Sequence, residues 1–328
     1  MTGIPGFGAP WGRIRGGIGS FRNDVAPTLI APAMLASGLP DGVRQISCIG
    51  AAVPLPDWNA MVSDPSSIPS SCADTTSTSP FASTAPNVWL LDRRFAAQKS
   101  WRGNLEFEGI LIPRRFGFQF GVIYSTNLHQ QAPLDLNFVP LERFALAAEG
   151  SRPVYVNAGS IVPATGALTN RDSRRDPRFG SVTALMTDLR SESRQIIVSL
   201  FPQRGTNLGR FTYMNLSYVN TRVRDQARGF SGTTAGNPLD VVWGRSAQDV
   251  RHQFNVRILA TRVGTLFSIW TAMRITSGTP FTPMVGGDLN GDGLANDRAF
   301  VFGPASGDSA VGAGMAAVRV MAGGHFVS

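Results

Sequence analysis

Alternating apolar and polar residues mark two runs near the C-terminal end of the chain, joined by a very short turn at Val263-Gly264. The first run separates its side chains onto two faces: Phe254, Val256, Ile258 and Ala260 against Asn255, Arg257 and Thr261. The second run does the same, with Trp270 as an exception on the polar face: Phe267, Ile269, Met273 and Ile275 against Ser268, Ala272 and Arg274. A period of two over this length predicts β-strands with one apolar and one polar face.

An earlier hairpin, turned by Pro113–Arg115, has the most asymmetric pattern. Its first strand alternates Leu105, Phe107 and Leu111 with Asn104, Glu106 and Glu108. Its second strand has a bulky face opposite a small or polar one: Phe116, Phe118, Phe120, Val122 and Tyr124 against Gly117, Gln119, Gly121 and Ser125. A soluble sandwich would bury the bulky face, whereas a membrane barrel would turn it to lipid. Tyr124, at the strand end, fits an interfacial aromatic position.

Short and long connections alternate along the chain. Further strand candidates lie around Phe179–Leu189, Arg194–Phe201 and Gly209–Val223. The short connections are Pro113–Arg115, Gln203–Leu208 and Arg262–Gly264; the long ones hold residues 22–92, Asn127–Pro177, Asp225–Gln248 and 277–298. This layout is typical of outer-membrane barrels, which have short periplasmic turns and long extracellular loops. We therefore expect an all-β antiparallel fold of about nine strands, without helices, because no segment has a convincing 3.6-residue period.

Composition narrows the class of protein. Charged residues make up only 16% of the 328 residues, which is low for a soluble domain, and the net charge of +8 is carried almost entirely by arginine. The arginines are scattered and often stand beside Asp, as in Arg171–Arg178. Because no basic helix face or known motif accompanies them, we expect no nucleic-acid partner.

No apolar run reaches the roughly 18–20 residues of a transmembrane helix. The first residues, MTGIPGFGAPWGRIRGG, also lack the pattern of a signal peptide. Two alternatives follow: a cytoplasmic protein, or a piece of a longer one.

Both cysteines, Cys48 and Cys72, lie in the long stretch 22–92, which is rich in Pro, Ser, Thr and Ala. A disulfide between them would restrict the loop and would require an oxidising compartment, and we favour it over two free thiols. Metal binding by the pair is not expected, because no His or third Cys is near.

The sequence Asp288-Leu289-Asn290-Gly291-Asp292-Gly293 matches the opening D-x-[DN]-x-[DN]-G of a calcium loop. Asn296 and Asp297 add oxygen atoms further along, so the candidate Ca²⁺ ligands are Asp288, Asn290, Asp292, Asn296 and Asp297. Ala299 stands where a helix-loop-helix calcium site has Glu, which excludes that class. A turn whose carboxylates are satisfied by water is the alternative.

Catalysis is not expected. The three histidines, His129, His252 and His325, are far apart in the sequence, and no nucleophile or metalloprotease motif accompanies them. His252 continues the face of Phe254, so we expect it to pack at a strand end. Ligand-binding residues cannot be assigned from the sequence.

Several segments, taken in order, resemble the TonB-dependent outer-membrane receptors of the Oar-like type. They are RIRGGIGSF (13–21), SWRGNLEFEGILIPRRFGFQFGVIYST (100–126), LDLNF (134–138), DVRHQF (249–254) and SGTPFTPMVGGDLNGDGLANDR (277–298). The last segment is the most specific, and VRQISCIGAAVPLPDW (43–58) is similar to the long surface loop of these receptors. Together they cover most of residues 11–303.

The resemblance implies part of a plugged barrel of about 22 strands in the outer membrane of a Gram-negative-type envelope. It also implies energised uptake of a bulky ligand, with membrane lipid and an inner-membrane TonB-type coupling complex as partners. Residues 1–303 would form the partial barrel, with 22–92 and 277–298 as extracellular loops, and 304–328 would be an irregular tail. Since no plug or signal peptide is found, we expect a fragment that is inactive and aggregates alone. The alternative is a secreted β-rich, calcium-binding adhesion or structural module with buried apolar faces.

Overall fold

The computed structural model describes residues 11–36, 53–73, 85–113, 115–163, 166–203, 211–263, 267–302 and 313–314. The strands in chain order are β1 (Gly12–Arg22), β2 (Val88–Leu91), β3 (Lys99–Ile112), β4 (Phe116–Asp135), β5 (Phe144–Leu146), β6 (Arg152–Val154), β7 (Val182–Pro202), β8 (Phe211–Ala227), β9 (Val242–Arg245), β10 (His252–Val263) and β11 (Phe267–Thr276). Two α-helices, α1 (Pro27–Leu35) and α2 (Trp58–Ser63), follow β1.

One nine-stranded sheet dominates the molecule, which confirms the predicted antiparallel β class. Its main path runs β1-β3-β4-β7-β8-β10-β11, and every pair on this path is antiparallel. Strand β9 pairs antiparallel with the end of β8, and β2 pairs parallel with the start of β7. Strands β5 and β6 form a separate small sheet. No helix in the described part of the chain is long and apolar enough to cross a membrane.

The connections alternate in length as the sequence predicts. Short links join β3 to β4, β7 to β8 and β10 to β11 at one end of the sheet. Long links follow β1, β4 and β8 at the other end, where residues 277–302 also emerge from β11. We call these the short-turn end and the long-loop end.

The register places apolar side chains in one row across all seven strands of the main path. The row is Ile14, Phe107, Phe120, Val198, Tyr218, Phe254 and Ile275, each directly opposite the next. Neighbouring positions on the same face include Leu105, Phe118, Val122, Ile196, Leu200, Leu216, Val256 and Met273. We call this surface the apolar belt. It is open to solvent, with Ile14 70% and Ile275 56% exposed.

The opposite face of the same strands is polar, because side chains alternate along a strand. The residues next to the apolar row form a second row: Arg13, Glu108, Gln119, Ser199, Ser217, Asn255 and Arg274. Hydrogen bonds between side chains link neighbouring strands on this face, such as Arg13 to Glu108 at 2.7 Å and Asn255 to Ser217 at 3.2 Å. The sheet is therefore amphipathic from edge to edge.

The buried part of the molecule lies at the long-loop end. We define the loop lobe as residues 136–181, 228–251 and 277–300. Phe138 packs edge-on against Tyr155 and Phe230, with ring centroids 5.0 and 5.5 Å apart. The largest fully buried side chains described also lie in this lobe: Val154, Val156, Asn290, Asp249, Asp292, Asp297, Pro238 and Ser173.

Three expectations were wrong. Helices α1 and α2 lie in a stretch predicted to contain none; α1 is apolar on all sides, so it lacks the one-sided period that marks a surface helix. The candidates Phe179–Leu189 and Arg194–Phe201 form one strand, β7, whose polar middle is held by ladder bonds to β4 and β8. Strand β4 continues past Asn127 to Asp135, with a register shift beside His129, whose φ is 58°.

Candidate functional site

The loop lobe is assembled by backbone hydrogen bonds between distant segments. The amide of Tyr155 donates to the carbonyl of Asn290 at 2.8 Å, and the amide of Arg298 donates to the carbonyl of Thr234 at 2.8 Å. The amide of Val285 donates to the carbonyl of Asp297 at 2.9 Å. The acidic stretch 288–298 is thus fixed against the connections from β4 and β8.

Within this stretch, carboxylates and an amide oxygen accept hydrogen bonds from nearby backbone amides. Asp288 accepts from Gly291 at 2.6 Å and from Gly293 at 2.7 Å. Asn290 Oδ1 accepts from Asp292 at 2.8 Å, and Asp292 Oδ1 accepts from Leu294 at 2.8 Å. These bonds replace strand or helix pairing, which explains why Asp and Asn occur at alternating positions.

Glycine is required at two of these positions. Gly291 and Gly293 have φ values of 80° and 95°, in the left-handed region that side chains disfavour. A Cβ at Gly291 would also lie 2.5 Å from Cγ1 of Val156. The glycine that the calcium-loop motif places after Asp292 therefore has a conformational reason to be there, whether or not a cation binds.

Arg152 is the central cation of the lobe, with its side chain only 2% exposed. Its Nε donates to Glu149 at 2.8 Å, and its Nη1 donates to the fully buried Asp297 at 3.2 Å. Its Nη2 also donates to the carbonyl of Arg298. Because residues 152 and 297 come from different loops, this ion pair ties the connection after β4 to the one after β11.

A second buried pair connects the lobe to the sheet. Arg174 donates to Asp135, the last residue of β4, and both side chains are about 95% buried. Arg174 also donates to the carbonyl of Asp292 at 3.1 Å. The other carboxylate oxygen of Asp135 accepts from the amides of Asn137 and Val182 at 2.9 Å. The acidic stretch is thereby attached to the ends of β4 and β7.

Burial changes the acidity of the loop. Desolvation raises the pKa of Asp288 to about 6, although amides of Gly291 and Gly293 oppose the shift. Desolvation together with the charge of Asp288 raises the pKa of Asp292 to about 7. Desolvation also raises the pKa of Asp297, against the opposing effects of the Leu289 amide and Arg152. The loop therefore favours protons or another cation near its carboxylates.

The structure brings four of the five predicted calcium ligands together and directs the fifth elsewhere. Asn296 donates from its amide nitrogen to the carbonyls of Gly229 and Gly232, at 2.5 and 2.7 Å. Across the described residues, no group of three or more His, Cys, Asp or Glu side chains has the arrangement to hold a metal ion. Calcium binding stays a prediction: the oxygen atoms are of the right kind, but backbone amides already donate to those of the four residues brought together, Asp288, Asn290, Asp292 and Asp297.

A cavity of about 600 Å³ lies beside the acidic stretch. Its polar lining includes the carboxylates of Asp135, Asp288 and Asp292 with Arg174, and Trp89 and Phe230 provide aromatic surface. The volume suits a small molecule. Of these charged groups, Asp135 and Arg174 are paired with each other, so Asp288 and Asp292 give the cavity its negative character.

Asp135, Arg152 and Arg174, which organise this site, could not be identified from the sequence. Their pairings span tens of positions or more, and the only local sign was the alternation of Arg and Asp in 171–178. Asp249 was not singled out either, although its partners are local: it is fully buried and accepts from Arg245 at 2.8 Å and from Arg251 at 2.7 Å.

The other residues considered in the sequence analysis are the histidines and the cysteines. His252 begins β10 and shares a 2.7 Å hydrogen bond with the Tyr218 hydroxyl, at a strand end as expected. His129 contacts the carbonyl of Thr187 at 3.3 Å. Cys72 is buried, but Cys48 lies outside the described residues, so the disulfide stays a prediction. His325 and nearly all of the predicted tail 304–328 also lie outside them.

Comparison with known proteins found no match to this chain among family models, curated proteins or solved structures. What the chain does is therefore inferred from its own geometry.

Proposed function

We propose that this chain forms part of an outer-membrane receptor barrel of the TonB-dependent, Oar-like type, with the apolar belt against lipid and the loop lobe outside the cell. The observation that carries the proposal is the pair of adjacent rows across the sheet. Seven apolar residues, one from each strand, lie on one face, six of them exposed and Phe107 half-buried, and seven polar residues lie on the other. Lipid-facing and lumen-facing residues alternate in this way in membrane barrels.

The energetic argument is that water is a poor environment for this face. Leaving a large apolar side chain fully exposed rather than buried forgoes about 1.5–3 kcal/mol, so this partly exposed row of seven forgoes several kcal/mol. That is a large fraction of the stability of a typical domain. Lipid removes this penalty without requiring a second layer of protein.

Strand length supports the same proposal. A tilted transmembrane strand needs about 9–11 residues, and the seven strands of the main path have 10 to 21 residues. The longest, β4 and β7, extend beyond the belt into the loop lobe. Short turns at one end and long loops at the other match periplasmic and extracellular sides respectively.

The loop lobe supplies the surface on which an external ligand would first be met. Its cavity, lined by acidic side chains and by aromatic surface, offers a place for a ligand on its way to the lumen. Energised uptake and a TonB-type coupling partner follow from the family resemblance. The transported ligand is left open.

The runner-up, a secreted β-rich calcium-binding module, requires protein over the apolar belt. Within the described ranges nothing covers it: Phe120, Val198 and Phe254 are 41%, 43% and 39% exposed. The membrane proposal accounts for this exposure directly.

The test is the behaviour of the full chain in water and in detergent. We expect aggregation in detergent-free buffer, and a monodisperse, β-rich species in micelles by light scattering and circular dichroism. A monodisperse monomer in buffer without detergent would contradict the proposal and favour the runner-up.

A further inference from the structure

Basic side chains continue the belt face beyond its last apolar residues, toward the long-loop end. They are Arg22 on β1, Lys99 on β3, Arg194 on β7, Arg222 and Arg224 on β8 and Arg245 on β9. We call them the basic girdle. The alternation of each strand puts them on the lipid side: Arg194 follows Ile196 and Val198 at every second position, and Arg222 follows Asn220 and Tyr218.

The register sets these cations directly against one another. The opposed pairs are Arg22 with Lys99, Arg194 with Arg222, and Arg224 with Arg245. Like charges opposite each other on one sheet face repel. Such pairs near the same end of one face would be stabilised by an anion that offsets their repulsion.

Carboxylates of the described chain do not supply that charge. Only Arg245 has an ion pair among these six residues, with Asp249 at 2.8 Å. Glu192 lies opposite Arg224 in the register, but the two form no ion pair within the described part of the chain. The girdle keeps a clear positive excess on an exposed surface.

Aromatic rings accompany the girdle. Lys99 lies 4.9 Å from the Trp101 ring centroid, Arg194 lies 5.7 Å from that of Tyr124, and Arg224 lies 5.7 Å from that of Trp243. The rings are about 40% exposed. Trp and Tyr concentrate at the level of lipid headgroups, where one side of the ring is apolar and the other is wet.

We propose that the basic girdle binds the phosphate groups of anionic lipids at the membrane surface. This inference rests on the proposed membrane function and adds a specific lipid partner to it. Guanidinium groups form paired, charge-assisted hydrogen bonds with phosphate, and five of the six cations are arginines. A phosphate between two opposed arginines would convert their repulsion into attraction to a shared anion.

The position of the girdle identifies a lipid as the source of the phosphate. The cations are continuous with the apolar belt on one face, so a molecule whose phosphate meets Arg194 and Arg222 would have its apolar tails beside Ile196 and Val198. A free phosphate ion or a nucleic acid would gain nothing from that continuity. Basic residues at a membrane surface each strengthen binding to anionic lipid by about fivefold.

The experiment compares binding of the full chain to two kinds of vesicle, phosphatidylcholine alone and phosphatidylcholine mixed with phosphatidylglycerol. We expect the wild type to prefer the anionic vesicles, and the double variant Arg194→Gln/Arg222→Gln to lose about thirtyfold of that preference. The matched control is Arg257→Gln/Arg274→Gln, which removes the same charge from the polar face and should keep the preference. Circular dichroism of all three proteins checks that they share one fold.

The outcomes separate this inference from the membrane proposal. Equal binding to both vesicles, or equal loss in both double variants, would overturn the girdle as a lipid site and leave the membrane proposal standing. Binding to neither vesicle would overturn both. If inorganic phosphate abolished the preference while chloride at the same ionic strength did not, the site would take free phosphate, and the lipid assignment would be wrong.

Discussion

The sheet and the loop lobe of this protein place their apolar and charged side chains in opposite ways. The sheet exposes its apolar side chains in a row from Ile14 to Ile275 and hydrogen-bonds its polar ones to each other. The lobe buries charged residues, with Arg152 and Asp297 almost free of solvent contact. In a soluble domain these roles are reversed, since apolar residues form the core and charges lie outside. The lobe is therefore held together by buried ion pairs, whereas the sheet presents apolar side chains on its surface.

The largest effect should come from breaking the buried ion pair of the lobe. Arg152→Met would leave Asp297 buried without a cation, which should lower the free energy of unfolding of the lobe by about 3–5 kcal/mol. Urea titration of the detergent-solubilised chain, followed by Trp fluorescence, measures this. The matched control Arg13→Met removes an exposed pair with Glu108 and should change it by less than about 1 kcal/mol. Similar losses in both variants would contradict the contrast between lobe and sheet.

A charge placed on the apolar belt should have the next largest effect, and only in a membrane. Val198→Arg would put a guanidinium in the middle of the proposed lipid face and destabilise the vesicle-inserted chain by about 2–4 kcal/mol. The control, Gln119→Arg, adds the same charge on the polar face beside Ser199 and should be tolerated. Both variants are compared by urea titration in vesicles. Equal tolerance at positions 198 and 119 would argue against lipid at the belt.

The contribution of Asp288 and Asp292 to the stability of the lobe should run opposite to ordinary acid denaturation, unlike that of Asp172 and Asp249, whose pKa values are lowered. Because burial raises the pKa of Asp288 to about 6 and of Asp292 to about 7, the folded lobe binds protons more readily than the unfolded chain. The stability that these two carboxyls contribute should be fully present below about pH 4, be lost as pH rises through about 6 and 7, and level off above about pH 8, with a total change of several kcal/mol in EDTA. Urea titrations across that range measure it, and Asp292→Asn should flatten the curve.

The same titration tests calcium. If the predicted ligands Asp288, Asn290, Asp292 and Asp297 hold Ca²⁺, adding millimolar calcium at pH 8 should restore stability, and calorimetry should detect binding. An unchanged unfolding midpoint with no heat of binding would reject the calcium site and leave an acidic turn held by backbone amides.

The smallest effect should come from a single glycine. In the Gly291→Ala variant the alanine must adopt a left-handed conformation, which costs about 1–2 kcal/mol. Its Cβ also lies too close to the side chain of Val156. Gly286→Ala is the matched control in the same loop, since nothing lies within 4 Å of its added Cβ. The two unfolding midpoints should differ, with Gly291→Ala lower. Equal midpoints would show that the acidic stretch is less tightly held than its contacts indicate.

The alternation of side chains was enough to predict the two faces of the sheet, because that pattern is local to each strand. The connections and the glycine positions of the acidic stretch were also readable, since turn chemistry depends on a few adjacent residues. The sequence predicted two strands where β7 is one, because the polar segment around Ser191 breaks the alternation of apolar and polar residues. The hydrogen bonds that keep this segment in the strand come from β4 and β8.

The lobe could not be predicted in the same way. Arg152 and Asp297 are 145 positions apart, and nothing near either residue indicates its partner. The cavity depends on residues from β2, β4, β7 and four connections that meet at one end of the sheet. Such contacts are set by the packing of the whole chain, so the motif identified the acidic stretch but not the cations that hold it.

The most direct test of the account places a small fluorescent amino acid at position 196 or at position 195, adjacent residues on opposite faces of β7. With the chain in vesicles, the probe replacing Ile196 should be quenched by lipid-borne nitroxide and shielded from aqueous iodide. The probe replacing Gln195 should show the reverse. Equal quenching at the two positions, or shielding of position 196 from both quenchers, would contradict a lipid-facing belt.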